Sequence, residues 1–349
     1  MTASPSAPHT AAGRHATLPI AVTMGDPAGI GPDITLAAWL DRERRGLPAF
    51  VVYGDPDTLA ARARALGLGV PLAVVATIAE AAAAFRDALP VLRTGAGAHD
   101  TAVMDAVVGA TSAVAEARAL ALVTNPIAKK SLHAAGLAYP GHTELLAALA
   151  ARHNPGCTFR PVMMLAAKEL KVVPTTVHIP LSAVPGALTR TLLLETVRIT
   201  AAALQRDFGI ARPRLVVAGL NPHAGEDGML GREDADVIAP AIAELAAEGL
   251  AVTGPHSADT LFHAQARRGY DAAIAMYHDQ ALIPLKTLAF DRGVNVTLGL
   301  PFVRTSPDHG TAFAIAGTGK ARPGSFLAAL ELAAEIGHRR ARTPLPAQP

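Results

Sequence analysis

Residues 214–250 read RLVVAGLNPHAGEDGMLGREDADVIAPAIAELAAEGL and carry the strand, loop and helix signals that decide the fold class. RLVVAGL is a short, nearly continuous apolar run, which is typical of a strand buried on both faces of a sheet. REDADVIAPAIAELAAEGL has apolar residues at helical spacing and a glycine near its end, which favours an amphipathic helix. A strand followed by a helix is the repeating unit of α/β folds.

The same alternation continues along the chain. Further strand-like runs are LPIAVTM (18–24), AFVVYGD (49–55), ALALVTN (119–125), AAIAMYH (272–278) and VNVTLGL (294–300). The segment PVMMLAAKELKVVPTTVHI (161–179) differs, because two strand-like runs flank a short polar turn at Lys168–Glu169 and predict a hairpin. Pro174 within it indicates a sheet edge or a bulge. The sequence therefore predicts an α/β fold whose sheet is mainly parallel but mixed.

Composition limits the partners and the compartment. Of the 349 residues, 50% are hydrophobic, 17% are charged and 4% are aromatic, and the formal net charge is +2. The charges form no basic stripe and aromatic residues are few, so we expect no nucleic-acid partner. No apolar run reaches the roughly 20 residues that span a bilayer, and the N-terminus does not read as a secretory signal. The single cysteine fits a reducing compartment. We expect a cytoplasmic protein without a membrane partner, with a disordered tail at residues 1–18.

Three histidines each follow a predicted strand. His178 follows VVPTTV, His223 follows LVVAGLNP and His278 follows AAIAMY, while Asp259 and Asp279 lie near two of these strand ends. In α/β folds, ligand-binding residues lie at the carboxyl ends of strands, and three imidazoles can hold a divalent ion with positions left open for substrate. The three are too distant in sequence to form a local motif. On the residues alone, a metal site and three unrelated structural or surface histidines both remain open.

Two other groups of polar residues suit an anion. The segment GHTE (141–144) opens a predicted helix, whose N-terminus attracts phosphate or carboxylate. A threonine that caps the helix, followed by a glutamate in its first turn, explains the same segment. Lys286, Asn295 and Arg304 lie close together in sequence, and Arg offers a bidentate fork to carboxylate or phosphate. Solvated surface charges are the alternative for Lys286 and Arg304.

Two glycine-rich stretches have the appearance of cofactor loops. TMGDPAGIGP (23–32) joins a strand to a helix but fits neither G-x-G-x-x-G nor G-x-x-x-x-G-K-[ST]. A tight turn, whose glycines allow positive φ and close packing, explains it equally well. AGTGK (316–320) lacks the strand and spacing of a Rossmann fingerprint. A dinucleotide that binds here therefore needs a different cradle.

Longer motifs resemble the 4-hydroxythreonine-4-phosphate dehydrogenases of vitamin B6 synthesis. In that family's order, from about Ile20 to about Ala334, the chain contains TMGDPAGIGPD, LVTNPIAKK, YPGHTE, TTVHIPL, GLNPHAGEDG, GREDADVIAPAI, SADTLF, AMYHDQALIPLK, FDRGVNVTLGLPFVRTSPDHGTA and IAGTGKA. GLNPHAGEDG and VTLGLPFVRTSPDHGTA are too long and too specific to match by chance.

The resemblance implies three ligands and a residue set for each. One divalent ion (Zn, Mg, Co or Mn), shared between the chains of a homodimer whose active site lies at the interface, is implied at His178, His223 and His278. The small phosphorylated amino-acid substrate is implied at His142, Thr143, Lys286, Asn295 and Arg304. NAD or NADP is implied at Asp308, His309, Gly310, Thr311, Gly317 and Gly319. As the general base, Lys286 and Asp259 are both candidates. In one possible arrangement, one chain of the dimer supplies His178 and His223, and the other chain supplies His278.

The resemblance also implies a fold and a reaction. The fold is similar to isocitrate and isopropylmalate dehydrogenases, with two α/β/α lobes around a central cleft. Residues 19–135 plus 300–349 form the first lobe with the cofactor segment, and residues 136–299 form the second with the metal and substrate residues. The reaction is NAD(P)-dependent oxidation of 4-phosphohydroxy-L-threonine to 2-amino-3-oxo-4-phosphooxybutanoate, which decarboxylates to 3-amino-2-oxopropyl phosphate. A paralogue acting on D-threonate or D-erythronate 4-phosphate keeps the same metal and phosphate residues and remains the alternative.

Overall fold

The computed structural model describes residues 18–95, 99–128 and 141–342. Apart from Leu18, the predicted tail lies outside the described residues. Twelve strands form one sheet in the described part of the chain. They are β1 (Ile20–Thr23), β2 (Phe50–Gly54), β3 (Leu72–Val74), β4 (Leu89–Arg93), β5 (Leu122–Thr124), β6 (Val162–Ala166), β7 (Lys171–Pro174), β8 (Arg214–Ala218), β9 (Ala251–His256), β10 (Ala272–Ala275), β11 (Val294–Leu298) and β12 (Arg304–Pro307).

Helices cover both faces of this sheet. They are Gly31–Leu40, Arg42–Arg45, Pro56–Ala65, Ile78–Ala84, His99–Ala115, His142–His153, Val184–Ala187, Arg190–Arg206, Ala239–Ala247, His278–Ala289 and Gly324–Arg342, and a π-helical turn, Asp234–Ile238, precedes Ala239–Ala247. A side chain caps the start of some of these helices. Asp55, for example, accepts hydrogen bonds from two backbone N–H groups at the start of Pro56–Ala65. No helix in the described part of the chain is long and apolar enough to cross a bilayer.

The strand order is β3-β4-β2-β1-β5-β12-β11-β6-β7-β10-β8-β9. Pairing is parallel from β3 to β12 and again from β7 to β9, while β12, β11, β6 and β7 pair antiparallel with one another. The sheet is therefore mixed and mainly parallel, as the sequence predicts, and β6 and β7 form the predicted hairpin.

The interpretation of Pro174 as a sign of a sheet edge is wrong. β7 lies inside the sheet, between β6 and β10. The ladder between β6 and β7 joins Leu165 to Val172 and Ala166 to Lys171, so it ends before Pro174. Pro174 pairs with Ala275 of β10 as the last residue of its strand. A proline is tolerated there because the antiparallel ladder that would use its missing N–H has already ended.

The sheet order also follows the chain in two halves. β1–β5 and β12 make one half, and β6–β11 make the other, so the halves join where β12 pairs with β11. A large apolar cluster covers one face of both halves and contains Val22 and Val217. The opposite face has two separate clusters, one with Leu122 and one with Leu165. The boundaries of the two proposed lobes stay a prediction, which this division of the sheet supports.

Candidate active site at the junction of the two sheet halves

Arg304 lies at the junction of the two halves, at the start of β12. The residue is 5% exposed, and its guanidinium donates hydrogen bonds to the hydroxyls of Thr297 (2.9 Å) and Thr124 (2.6 Å). Nε is buried without a partner, and the described residues offer the cation no carboxylate. Burial lowers the pKa of Arg304 to about 10. A buried cation held by neutral hydroxyls is a preformed site for an anionic ligand.

The substrate residue predicted on β11 lies on the same face. Val296 pairs with Thr305 across the antiparallel ladder, which sets Thr297 opposite Arg304. Residues opposite each other share a face, and so do residues two apart in a strand. Asn295, two residues before Thr297, therefore faces the same side as Arg304, in the gap between the two separate apolar clusters.

His142, the first residue of helix His142–His153, lies near the positive charge of Arg304. Burial and then the nearby charge of Arg304 lower the pKa of His142 from 6.5 to about 3, so its imidazole is neutral at physiological pH. Its Nε2 is buried without a hydrogen-bond partner among the described residues. A neutral imidazole can donate one hydrogen bond to an anion, and that capacity is unused here.

The interpretation of Thr143 as a helix cap is wrong. The N-cap of His142–His153 is Gly141, and no side chain caps the helix, although Glu144 does lie in the first turn. The hydroxyl of Thr143 is therefore not engaged as the cap. The uncapped N–H groups and the helix dipole add to the attraction of an anion to this junction.

The low pKa of His142 predicts a loss of stability in mild acid. The unfolded chain binds a proton at His142 near pH 6.5 and the folded chain only near pH 3, so the free energy of unfolding falls as pH drops between these values. We expect wild type to lose about 1–2 kcal/mol more than His142→Asn between pH 7 and pH 5. Urea denaturation at both pH values measures this. Equal losses in the two proteins would show that His142 is solvated and titrates normally.

Lys286 and Asp308 form a second polar group. Lys286, in helix His278–Ala289, places its Nζ 3.2 Å from Oδ2 of Asp308, just after β12. Burial raises the pKa of the Asp308 carboxyl, although the charges of Lys286, His309 and His278 oppose this. The pair links the candidate general base Lys286 to the first residue of the predicted cofactor segment.

His178 and His278 lie next to each other in one chain. Their ring centroids are 5.5 Å apart, and Asp279 Oδ1 lies 2.7 Å from Nδ1 of His278. The two rings line a surface cavity of about 240 Å³. A carboxylate on one ring nitrogen orients an imidazole and leaves Nε2 for a metal ion, which is a common arrangement in metal sites. Because the two rings are adjacent within one chain, His178 and His278 can bind one ion together without His278 coming from another chain.

His223 belongs to a different local environment. It lies in the turn Pro222–Gly228, where His223, Ala224, Glu226 and Asp227 all have left-handed φ values between 42° and 55°. Each such non-glycine residue costs of order 1 kcal/mol or more, so the surrounding structure must impose the turn. The hydrogen bond from Ser257 and then the charge of His223 lower the pKa of the Asp259 carboxyl.

The predicted metal ligands do not all come together in one chain. Across residues 18–95, 99–128 and 141–342, no group of three His, Cys, Asp or Glu side chains is arranged to hold an ion. The chain brings His178 and His278 together, whereas His223 lies with Asp259.

The predicted cofactor segment packs against the N-terminal glycine-rich turn. The Thr311 carbonyl accepts from Ile30 N (2.9 Å), and Gly317 N donates to Asp33 Oδ1 (2.7 Å). At Gly310 and Gly319 a side chain would meet no atom within 4 Å, so these edges are open. Nε2 of His309 is buried without a partner among the described residues. An open backbone edge next to an unsatisfied imidazole fits a polar ligand such as a dinucleotide.

The N-terminal glycine-rich turn, residues 23–32, packs closely against the residues around it. Gly25 has φ +78°, and a Cβ there would lie 2.7 Å from Cβ of Asn125. Arg62 pairs with Asp33 and donates to the carbonyls of Gly29 (2.8 Å) and Pro27 (2.9 Å). The tight-turn interpretation therefore describes the backbone, and Arg62 fastens the turn that supports the cofactor segment.

Sequence reasoning missed Thr124, Thr297 and Arg62. The two threonines hold the Arg304 guanidinium, and Arg62 lies in an otherwise ordinary amphipathic helix. The only signal in the sequence was the position of each threonine inside a strand-like motif, LVTN and VTLGL, where a polar residue interrupts an apolar run.

Comparison with known proteins now adds to this geometry. The family model described as pyridoxal phosphate biosynthetic protein PdxA matches residues 47–333. A 4-hydroxythreonine-4-phosphate dehydrogenase from Xanthobacter autotrophicus is 56% identical over 337 residues, which cover 94% of this chain and 96% of the relative.

Solved structures show the same relationship. The crystal structure of a 4-hydroxythreonine-4-phosphate dehydrogenase from Klebsiella pneumoniae is 39% identical, has a TM-score of 0.80 and aligns over 92% of this chain and 98% of its own. A terephthalate 1,2-cis-dihydrodiol dehydrogenase from Burkholderia xenovorans is 28% identical, has a TM-score of 0.59 and aligns over 91% and 98%. The α/β fold and the family resemblance are thus confirmed, and the chain belongs to the PdxA family of pyridoxal phosphate biosynthetic proteins.

Proposed function

We propose that this protein oxidises 4-phosphohydroxy-L-threonine with NAD or NADP to 2-amino-3-oxo-4-phosphooxybutanoate, which loses CO₂ to give 3-amino-2-oxopropyl phosphate. The dehydrogenase family implies a nicotinamide cofactor, and relatives more than 50% identical carry the name of this activity. The observation that carries the proposal is the buried guanidinium of Arg304, which lacks a carboxylate among the described residues and faces a neutral His142. With its single cysteine, the chain suits the reducing cytoplasm.

Each substrate residue has a task that its surroundings support. Arg304 neutralises the phosphate or carboxylate, while His142 and Thr143 donate hydrogen bonds to it at an uncapped helix start. Asn295 contributes an amide from the same face of the sheet. Lys286 adds positive charge where charge develops during oxidation and decarboxylation, and Asp308 holds its ammonium in place.

Oxidation of the alcohol removes a proton from the hydroxyl and a hydride from the carbon that bears this hydroxyl. Asp259 and Lys286 are the two candidates for the proton acceptor, Lys286 only as the neutral amine, because the ammonium that adds positive charge cannot accept a proton. Asp259 is exposed and lies near His223, and its lowered pKa keeps it ionised at neutral pH but makes it a weaker base. A divalent ion held by the three histidines would supply Lewis-acid polarisation of the hydroxyl, and a nicotinamide held by the segment from Asp308 to Gly319 would supply the hydride acceptor.

We place the ion at His178, His223 and His278. The adjacent rings of His178 and His278, with Asp279 on Nδ1 of His278, fit two imidazole ligands of one ion. Imidazole donors accept Zn, Co or Mn, and Mg remains a candidate from the family. Because His223 does not join the pair within one chain, the set would be completed in a homodimer.

Exposed apolar side chains support a dimer with its active site at the interface. Leu181, Met229 and Ile283 are 67%, 78% and 64% exposed, and each lies a few residues after one of the three histidines. Exposed apolar side chains that form a contiguous patch are typical of an interaction surface. Burial of these three would bring the histidine-bearing loops of two chains together.

The test of this function is reduction of NAD and NADP with three phosphorylated substrates. We expect turnover of 4-phosphohydroxy-L-threonine, loss of turnover after chelation, and recovery when Zn²⁺, Co²⁺, Mn²⁺ or Mg²⁺ is restored. D-threonate 4-phosphate and D-erythronate 4-phosphate serve as the matched comparison, since they lack the amino group. Rapid turnover of either acid, with none of 4-phosphohydroxy-L-threonine, would instead assign the paralogous activity.

A further inference from the structure

A chain of buried hydrogen bonds joins the three strand ends that lead to the predicted metal ligands. Thr176 donates both its backbone N–H (3.1 Å) and its hydroxyl (2.8 Å) to the carbonyl of Met276. Met276 N donates to Oε1 of Gln280 (2.6 Å), and Nε2 of Gln280 donates to the carbonyl of Gly219 (2.8 Å). Gln280 is only 9% exposed and uses both ends of its amide.

Each predicted ligand lies a few residues after one member of this hydrogen-bond network in the sequence. His178 comes two residues after Thr176, His278 two residues after Met276, and His223 four residues after Gly219. A shift at any of these points would therefore move an imidazole.

Gln280 continues the contact between β8 and β10 where their backbone ladder stops. The two strands pair as far as Val217 and Ile274. Beyond these two residues both strands lead into loops. There the Gln280 amide bridges Met276 and Gly219 by hydrogen bonds. A buried amide with both groups satisfied fixes one geometry, since any other leaves a polar group unpaired.

Asp234 fixes the same loop from its other side. Its carboxylate is 2% exposed and accepts from the backbone N–H of Leu220 (2.9 Å) and of Asn221 (3.1 Å). It also accepts from the side-chain amide of Asn221 (2.9 Å). These bonds hold the two residues that enter the left-handed turn bearing His223, and they can supply the constraint that the turn requires.

We propose that Gln280 and Asp234 are positioning residues that fix the His223 loop against the strand ends bearing His178 and His278 within each chain, and so set where each loop meets the histidines of the other chain in the homodimer. The inference rests on the proposed metal-dependent function. Neither side chain is a ligand: each acts through the backbone that carries an imidazole. Metal–nitrogen bonds of about 2.0–2.1 Å tolerate little displacement, and loss of a supporting partner typically costs 10–100-fold in metal affinity.

The test measures Zn²⁺ affinity of the full-length protein by competition with a chromophoric chelator, with the melting temperature of the metal-free protein recorded beside it. We expect Gln280→Met, which keeps the size and loses both hydrogen bonds, to weaken Zn²⁺ binding about 10–100-fold. Gln280→Glu retains the acceptor for Met276 N and loses the donor to Gly219, so it should also bind weakly. Gln205→Met is the matched control, because Gln205 is an exposed glutamine remote from the histidines, and its affinity should be unchanged.

His223→Ala distinguishes the two proposals. If wild type binds Zn²⁺ and His223→Ala does not, the metal site stands, and Gln280→Met binding within about threefold of wild type would overturn the positioning role alone. If His223→Ala binds as tightly as wild type, the proposed metal site fails and the positioning role fails with it. Should Gln280→Met not fold, Asp234→Asn decides: weakened Zn²⁺ binding in a folded protein supports the proposal, and wild-type binding overturns it.

Discussion

Arg304→Met is expected to lower kcat/KM about 10²–10³-fold while the free energy of unfolding stays within about 1 kcal/mol of wild type or rises. Loss of one partner of a buried charge pair costs 2–5 kcal/mol or more of binding, and each 1.4 kcal/mol is tenfold. Folding gains from the substitution, because the cation is buried without a carboxylate among the described residues and its pKa is lowered to about 10. The two threonine hydroxyls that lose their donor offset part of this gain.

The measurements are initial rates across substrate concentration and urea denaturation of the substrate-free protein. Arg304→Lys is the control for charge alone, since it retains the cation but loses the planar fork, and its kcat/KM should lie between those of wild type and Arg304→Met. A destabilised Arg304→Met protein whose folded fraction turns over normally would mean that Arg304 is a structural cation and that the anion binds elsewhere.

Arg304 also shows how far the sequence predicts the site. Its position in a strand and its chemical suitability for an anion follow from local pattern, and so does the hairpin of β6 and β7. Its isolation from carboxylates does not, because that depends on Thr124 and Thr297, which reach it from two other strands. Pairing of strands distant in sequence cannot be obtained from local periodicity.

The histidines show the same limit. Each is predictable as a residue a few positions after a strand, but only the order β7-β10-β8 places the three strand ends side by side. Residue type alone gives the wrong prediction where the tertiary structure decides the outcome. Thr143 has the residue type of a helix cap, yet the N-cap is Gly141, two residues earlier, and Pro174 lies inside the sheet because a neighbouring ladder ends before it.

Asp207→Asn is expected to lower the free energy of unfolding by about 3–5 kcal/mol, with activity per folded molecule retained. Asp207 is 2% exposed and accepts two hydrogen bonds each from Arg340 (2.7 and 2.8 Å) and Arg206 (2.6 and 2.9 Å). It joins the ends of helices Arg190–Arg206 and Gly324–Arg342. Burial alone would raise the pKa of Asp207, but the hydrogen bonds from Arg340 and Arg206 outweigh it and hold the pKa below 3.8. The carboxylate therefore stabilises the fold above pH 3.8, and this contribution is lost as pH falls through the folded pKa.

Removing this carboxylate leaves the guanidinium of Arg340, whose side chain is only 15% exposed, without its counter-charge, which is why the cost exceeds that of a surface pair. Urea denaturation at pH 7 measures it, and Asp236→Asn is the control, because Asp236 pairs with Arg232 on an exposed helical turn and should change stability by less than about 1 kcal/mol. The double variant Asp207→Leu with Arg340→Met should recover much of the loss, since an apolar pair removes both buried charges together. If Asp207→Asn were as stable as Asp236→Asn, water would have to reach Arg340, and the two helix ends would be held by apolar packing alone. In wild type, Arg340 has a carboxylate and stabilises the fold, whereas Arg304 has none among the described residues and is available to bind an anion.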